Sequence, residues 1–226
     1  QSKAVVSHVE VEPRSGRASG VSWIHARSRQ QQRSTAELVV LCASTIESLR
    51  LLLHSQQVGG LEDVSGLLGQ GLMDHVSASC FFSLPQQPAP GATELSGAGS
   101  CFIPNTLEER PAFKRGYGLW CGIQRFDPPP LFKRDRGAAV GFLIGHGEVL
   151  SQPENRVSLH PERCDAWGIP IAHIACRWGD NEQRMVQHMQ QRMQAVVASG
   201  GGRIAPLADL FKLPLIEPLV MGSQAM

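Results

Sequence analysis

The sequence predicts an α/β segment built on a β-meander, followed by an antiparallel sheet with a helix packed against it. Three observations carry this expectation. An unbroken apolar run, LVVL at 38–41, leads directly into a helical pattern. Short strand-like pieces separated by turn chemistry recur after residue 78. One long amphipathic pattern begins near residue 180. The boundary falls after residue 77, giving a first domain over 1–77 and a second over 78–226 that contains a helix at 181–199.

AVVSHVEV at 4–11 begins apolar and then alternates, and EPRSGR supplies a turn. ASGVSWIHA and, after the polar RSRQQQRST stretch, AELVVLCA follow as the next two strands, a meander over 4–43. The 38–41 run does not alternate, which suits a strand covered on both faces, as in a parallel sheet. Ser44 stands three residues before Glu47, the capping-box spacing, so a helix starts there. Ile46, Leu49, Leu52 and Leu53 form its apolar stripe, and Gly59-Gly60 closes it. A strand-to-helix junction aims backbone N–H groups at one spot and is a usual place for a phosphate, but G-x-G-x-x-G is absent from this chain.

A loop over GLEDVSGLLGQGLMDH returns the chain to a strand, and 84–100 is a Pro-, Gly- and Ser-rich excursion. Strands are expected around 101–104, 118–126, 138–144, 156–159 and 169–178. GHGE at 145–148 reads as loop, as does FDPPPLFKRDRG. Asp180 is the expected N-cap of a helix running to Gly200, on which Met185, Met189, Met193 and Val196 repeat as a core stripe.

At 226 residues and 42% hydrophobic content, the chain is large enough for a real core. Its 21 basic and 20 acidic residues give a formal charge of +1, which offers no electrostatic case for nucleic acid or an anionic membrane surface. No apolar run approaches the roughly 20 residues of a membrane span. Six scattered cysteines with no C-x-x-C pair do not form a disulfide framework and favour a reducing, cytoplasmic compartment. A periplasmic location follows instead if an export signal lies upstream, since Gln1 reads as a start inside a longer protein.

His160, Cys164, His173 and Cys176 match no zinc spacing, so no metal site is assigned. No G-x-S-x-G elbow is present, and Glu108-Glu109 reads as solvated surface.

Six pieces taken in order, SGRASGVSW, AELVVLCASTIESLRLLLHS, GLLGQGLMDH, FKRGYGLW, GHGEVLSQPENRVSLHPERCDAWGIPIAHI and GDNEQRM, resemble successive signatures of the glucose-methanol-choline oxidoreductases, the flavoprotein alcohol dehydrogenases and oxidases. The second and fifth are the most specific. They resemble the family's V-L-A-A-G-A-x-x-S-P-R-L-L-L-x-S run and its N-x-V-x-L…D-x-x-G-x-P run. The resemblance implies part of a Rossmann-like FAD-binding domain followed by an antiparallel-sheet substrate domain, with FAD as cofactor.

On that resemblance, Cys42, Ala43 and Ser44 would face the dinucleotide, Val6 would meet the adenine, and Asp74 with His75 would match the family's D-H pair. Ser44 replaces a family glycine and Leu49 a family proline. The resemblance also places the G-x-G-x-x-G upstream of Gln1 and the catalytic histidine beyond Met226, so no catalytic residue is expected in this chain. The implied reaction is proton removal from an alcohol by a histidine base, with hydride passing to flavin N5. The substrate is a small-molecule sugar, polyol or other alcohol, and the electron acceptor is not named. Tyr117, Trp120, Glu148 and Asn155 are the pocket candidates. Two alternatives stand beside this reading: a truncated or split-gene product acting as a non-catalytic binding or interaction module, and a carbohydrate-binding β domain without redox chemistry.

Overall fold

The computed structural model describes residues 2–88, 99–104, 112–124 and 138–205. Glu108-Glu109, the FDPPPLFKRDRG loop and most of the 84–100 excursion lie outside the described residues. Along the chain the elements are β1 (Ala4–Val11), β2 (Ala18–His25), β3 (Gln31–Thr35), α1 (Ser44–Val58), β4 (His75–Pro88), β5 (Ser100–Pro104), β6 (Tyr117–Gln124), β7 (Ala138–Glu148), β8 (Arg156–Cys164), β9 (Pro170–Ala175), α2 (Asp180–Ser199) and β10 (Arg203–Ile204). Among the described residues, no helix is long and apolar enough to cross a membrane. Two compact units form: one gathers Gln1–Met73 with Ser151–Arg177, the other Asp74–Leu150 with the segment from Trp178.

In the first unit, β1, β2 and β3 make an antiparallel meander in that order. Its third strand is not the apolar run. β3 lies in the polar QQRST stretch and exposes every residue, because an edge strand needs only its backbone to pair with β2. The 38–41 run is not a strand here. Leu38 is 77% and Val40 71% exposed, and among the described residues no strand pairs with it. An apolar run becomes a strand only where a neighbour takes its N–H and C=O groups.

Three of the four residues of the α1 stripe behave as expected: Ile46, Leu49 and Leu53 pack with Ala172 on Leu72 and Val157, and Leu52 lies outside this cluster. Gly59 caps the helix, and Gly60 takes a positive φ of 78°. Near that end, the Ser55 hydroxyl accepts the Val9 N–H of β1 at 2.8 Å.

The β8–β9 hairpin also belongs to the first unit, although the sequence reading put it with the second domain. Two sets of contacts bind it there. The GLLGQG loop laces onto β8 through Val157 N–H to Gly69 O at 2.7 Å and Leu72 N–H to Asn155 O at 2.8 Å. Arg50 of α1 then grips the hairpin turn, pairing with Asp165 at 2.6 Å and donating to Pro170 O at 2.7 Å and Ile169 O at 3.1 Å. The Asp165 carboxylate in turn accepts the Trp167 and Ile169 N–H groups at 2.8 and 3.1 Å. The N-x-V-x-L…D-x-x-G-x-P run therefore docks the hairpin on the helix.

The second unit is an antiparallel sheet ordered β10-β4-β7-β6-β5, with α2 across one face. Met185, Met189 and Met193 are buried on Val76, Leu119 and Leu143. GHGE, expected as loop, is the end of β7. Its glycines are seats for the helix: a Cβ on Gly145 would meet the Met189 sulfur at 2.9 Å, and one on Gly147 would run into the Met185 sulfur. Glycine weakens a strand in general, but here it admits the helix closely.

Gly179 rather than Asp180 is the N-cap of α2. The fully buried Glu182 carboxylate accepts the Gly179 N–H at 2.9 Å, the Leu150 N–H at 3.0 Å and the Asn181 amide at 3.0 Å. Burial pushes this carboxyl's pKa up, but those hydrogen bonds outweigh it and hold the pKa below the ordinary 4.5.

Candidate functional site

Among the described residues, the sheet face opposite α2 is open, and its composition follows from strand parity. In β7 the buried Leu143, Gly145 and Gly147 turn to the helix, and Phe142, Ile144, His146 and Glu148 alternate onto the other side. Register places Ser77 of β4 and Gly118 of β6 beside His146, and Ser79 and Trp120 beside Ile144. Phe81 and Gly122 flank Phe142 in the next row, and Phe102 of β5 faces Trp120.

The aromatic end is shaped by two glycines. The Phe102 ring lies over Gly118 and the Phe142 ring over Gly122, where a Cβ would strike them. Trp120, 45% exposed, stands between these rings, edge-on to Phe142 with centroids 4.9 Å apart.

The other end is polar. Ser77 Oγ and His146 Nδ1 are hydrogen-bonded at 3.0 Å, and the His75 and His146 rings lie 6.0 Å apart. Burial, and secondarily the neighbouring His75 imidazole, lower the pKa of His146 and so favour its neutral form. Glu148 is opposite His75 in register and pairs loosely with Arg115 at 3.9 Å.

The four pocket candidates separate. Trp120 and Glu148 share the open face. Tyr117 points to the α2 side, where its hydroxyl bonds His188 Nδ1 at 2.7 Å, because residues three apart on a strand face opposite ways. Asn155 is in the other unit and fully buried. Its amide donates to Arg177 O at 3.1 Å and accepts the Arg177 N–H at 3.0 Å, so its side chain serves the backbone and not a pocket.

The cofactor candidates fall in both units. In the first, Cys42, Ala43 and Ser44 are exposed at the start of α1. The expected capping box does not form: Ala43 is the N-cap with no side-chain cap hydrogen bond, and Glu47 pairs with Arg50 at 3.2 Å. Ser44 has φ 68°, the left-handed conformation that glycine adopts without strain. Val6 lies on β1 opposite Trp23. Its neighbour Ser7 meets His54 of α1 at 3.4 Å, and about 15 Å of helix axis separates His54 from Ser44. A ligand touching Val6 and Ser44 would have to be long. In the second unit, Asp74 accepts the His75 N–H at 2.7 Å and His75 opens β4.

Replacing Ser44 by glycine is expected to raise stability by about 1 kcal/mol, by relieving the left-handed serine. The urea midpoint measures it, and an unchanged or lowered midpoint would contradict the strain argument.

The chain is similar to two curated dehydrogenases. It is 24% identical over 225 residues to the fructose dehydrogenase large subunit of Gluconobacter japonicus, covering 92% of this chain and 41% of that protein. It is 37% identical over 70 residues to the 2-methyl-1,2-propanediol dehydrogenase of Mycolicibacterium austroafricanum, covering 30% of this chain and 13% of that protein. No family model matches. The chain thus spans less than half the length of these relatives, one named for a sugar and the other for a diol.

Ser77, Phe102 and Phe142 were missed in the sequence, and His146 was set aside there as a loop residue of GHGE. For Phe142 and His146 the signal was the spacing itself, F-x-I-x-H at 142–146 read at period two.

Proposed function

We propose that this chain is part of an FAD-dependent oxidoreductase acting on CH–OH groups of a sugar, polyol or related alcohol, and that the open face of its five-stranded sheet is a wall of the substrate site. The observation that carries the proposal is the division of that face into aromatic rings at one end and imidazole, hydroxyl and carboxylate groups at the other. A carbohydrate has the matching halves, an apolar C–H face and a fringe of hydroxyls. Trp120, flanked by Phe102 and Phe142, would stack on the first. Ser77, His146 and Glu148 would orient the second by hydrogen bonds. The similarity to a fructose and a diol dehydrogenase supports the substrate class.

The start of α1 suits the dinucleotide, because Cys42, Ala43 and Ser44 are exposed at a helix N-terminus and the left-handed Ser44 keeps the glycine-like backbone turn. Cys42 and Ala43 would present their backbone beside it, and Val6 would meet the far end of the same ligand. Bound flavin would supply the redox chemistry, accepting hydride at N5.

The test is the gene product that carries this chain, purified with FAD and assayed against sugars and polyols with an artificial electron acceptor. Flavin absorbance bleached by a sugar or polyol is the expected result, and a protein that holds no flavin overturns the reading. In that enzyme Trp120→Ala is expected to raise KM about tenfold while kcat changes little, the signature of lost stacking.

A further inference from the structure

The opposite side of the sheet carries a feature that the proposed reaction does not use. Cys101 on β5 and Cys121 on β6 are register partners, so both side chains leave the sheet on the same face. The Ile123 N–H donates to Gly99 O at 2.6 Å two positions along the same ladder, which places Cys101 and Cys121 at a hydrogen-bonded pair. Such pairs hold their Cα atoms about 5.5 Å apart, within the roughly 4.4–6.8 Å that a disulfide spans.

The two thiols are free. Cys101 is exposed and Cys121 half-buried, and burial first, then the neighbouring Cys101, pushes the Cys121 thiol up to about 11. Cys80 does not compete for Cys121. It lies on β4 with β7 between the two strands, about 10 Å away across two strand spacings. Cys42, Cys164 and Cys176 belong to the other unit.

We propose that Cys101 and Cys121 form a reversible cross-strand disulfide under oxidation by hydrogen peroxide. Peroxide oxidises the exposed Cys101 thiol to a sulfenic acid with release of one water. The Cys121 sulfur then attacks the Cys101 sulfur, and the hydroxyl leaves with the Cys121 proton as a second water. Two thiols and one peroxide give one disulfide and two waters. The bond ties β5, the edge strand, to β6, and β5 carries Phe102 on its other face. The clamp thereby fixes the outermost ring of the aromatic row.

The test uses the full chain with Cys42, Cys164 and Cys176 replaced by serine, leaving three thiols, treated with hydrogen peroxide and mapped by mass spectrometry without reduction. The expected result is a fall from three titratable thiols to one, a Cys101–Cys121 linked peptide within single chains, and its loss on dithiothreitol. Cys121→Ser is expected to abolish the link and leave Cys101 at the sulfenic or sulfinic stage. Cys101 oxidised alone while Cys121 stays reduced, or a link involving Cys80, overturns the proposal. If the serine variant does not fold, the same peptide map on the unmodified chain decides with the same outcomes.

Discussion

Arg50→Ala is expected to lower the stability of the chain by about 3 kcal/mol, the scale found when one member of a largely buried ion pair is removed. The guanidinium and the Asp165 carboxylate are 15% and 18% exposed, so solvent screens them little. Losing Arg50 also strands the Pro170 and Ile169 carbonyls that it bonds. The penalty should depend on pH. Burial raises the Asp165 pKa, but the Arg50 hydrogen bond, the Ile169 and Trp167 N–H groups and the Arg50 charge together bring it below 3.8. A carboxyl depressed on folding stabilises fully above its unfolded value and loses that contribution as pH falls through the folded one. The gap between Arg50→Ala and the parent should therefore be widest near neutrality and narrow below pH 3.8. Urea titrations across this range measure it, and a gap of under about 1 kcal/mol at neutral pH would remove the clamp from the account.

Glu182→Ala is expected to cost about 2–4 kcal/mol, because it leaves the Gly179 and Leu150 N–H groups without their acceptor in a buried place. The effect should appear as early loss of α2. Glu182→Gln keeps one carbonyl oxygen and should cost about half as much. Thermal melts followed by helix circular dichroism compare the three proteins. Equal melting of Glu182→Ala and the parent would show that the helix start is held by its methionines alone.

The parts of this fold that were legible are those whose pattern is local. The Met185-Met189-Met193 stripe and the Ile46-Leu49-Leu53 stripe repeat at helical spacing whatever surrounds them, and both helices lie where that spacing put them. The parts that were not legible depend on a partner. LVVL at 38–41 has strand composition but no neighbour, whereas QQRST has none of that composition and is a strand because β2 offers its edge. GHGE was misread because two glycines look like a turn until the methionines above them are known. The candidate site divides in the same way. Trp120 and Glu148 were found as polar or aromatic groups in distinctive segments, and period-two counting alone would have separated Tyr117 from Trp120. Asn155 could not be judged without Arg177, which is distant in sequence and occupies its amide.

The first unit is written in two pieces of chain, and this governs the order in which it can be made. Arg50 and Asp165 are 115 residues apart, so the contact that completes the unit closes a very long loop. Loop-closure entropy grows only slowly with length, but the search is slow, since distant contacts form late. A chain emerging from the ribosome from its N-terminus makes α1 before the hairpin and must keep the part of its leucine stripe that Val157 covers open until residues 151–177 arrive. The intervening sheet can close on α2 only after that hairpin has been made. Biosynthesis thus leaves part of α1 as a long-waiting apolar surface, one on which a nascent-chain chaperone could act.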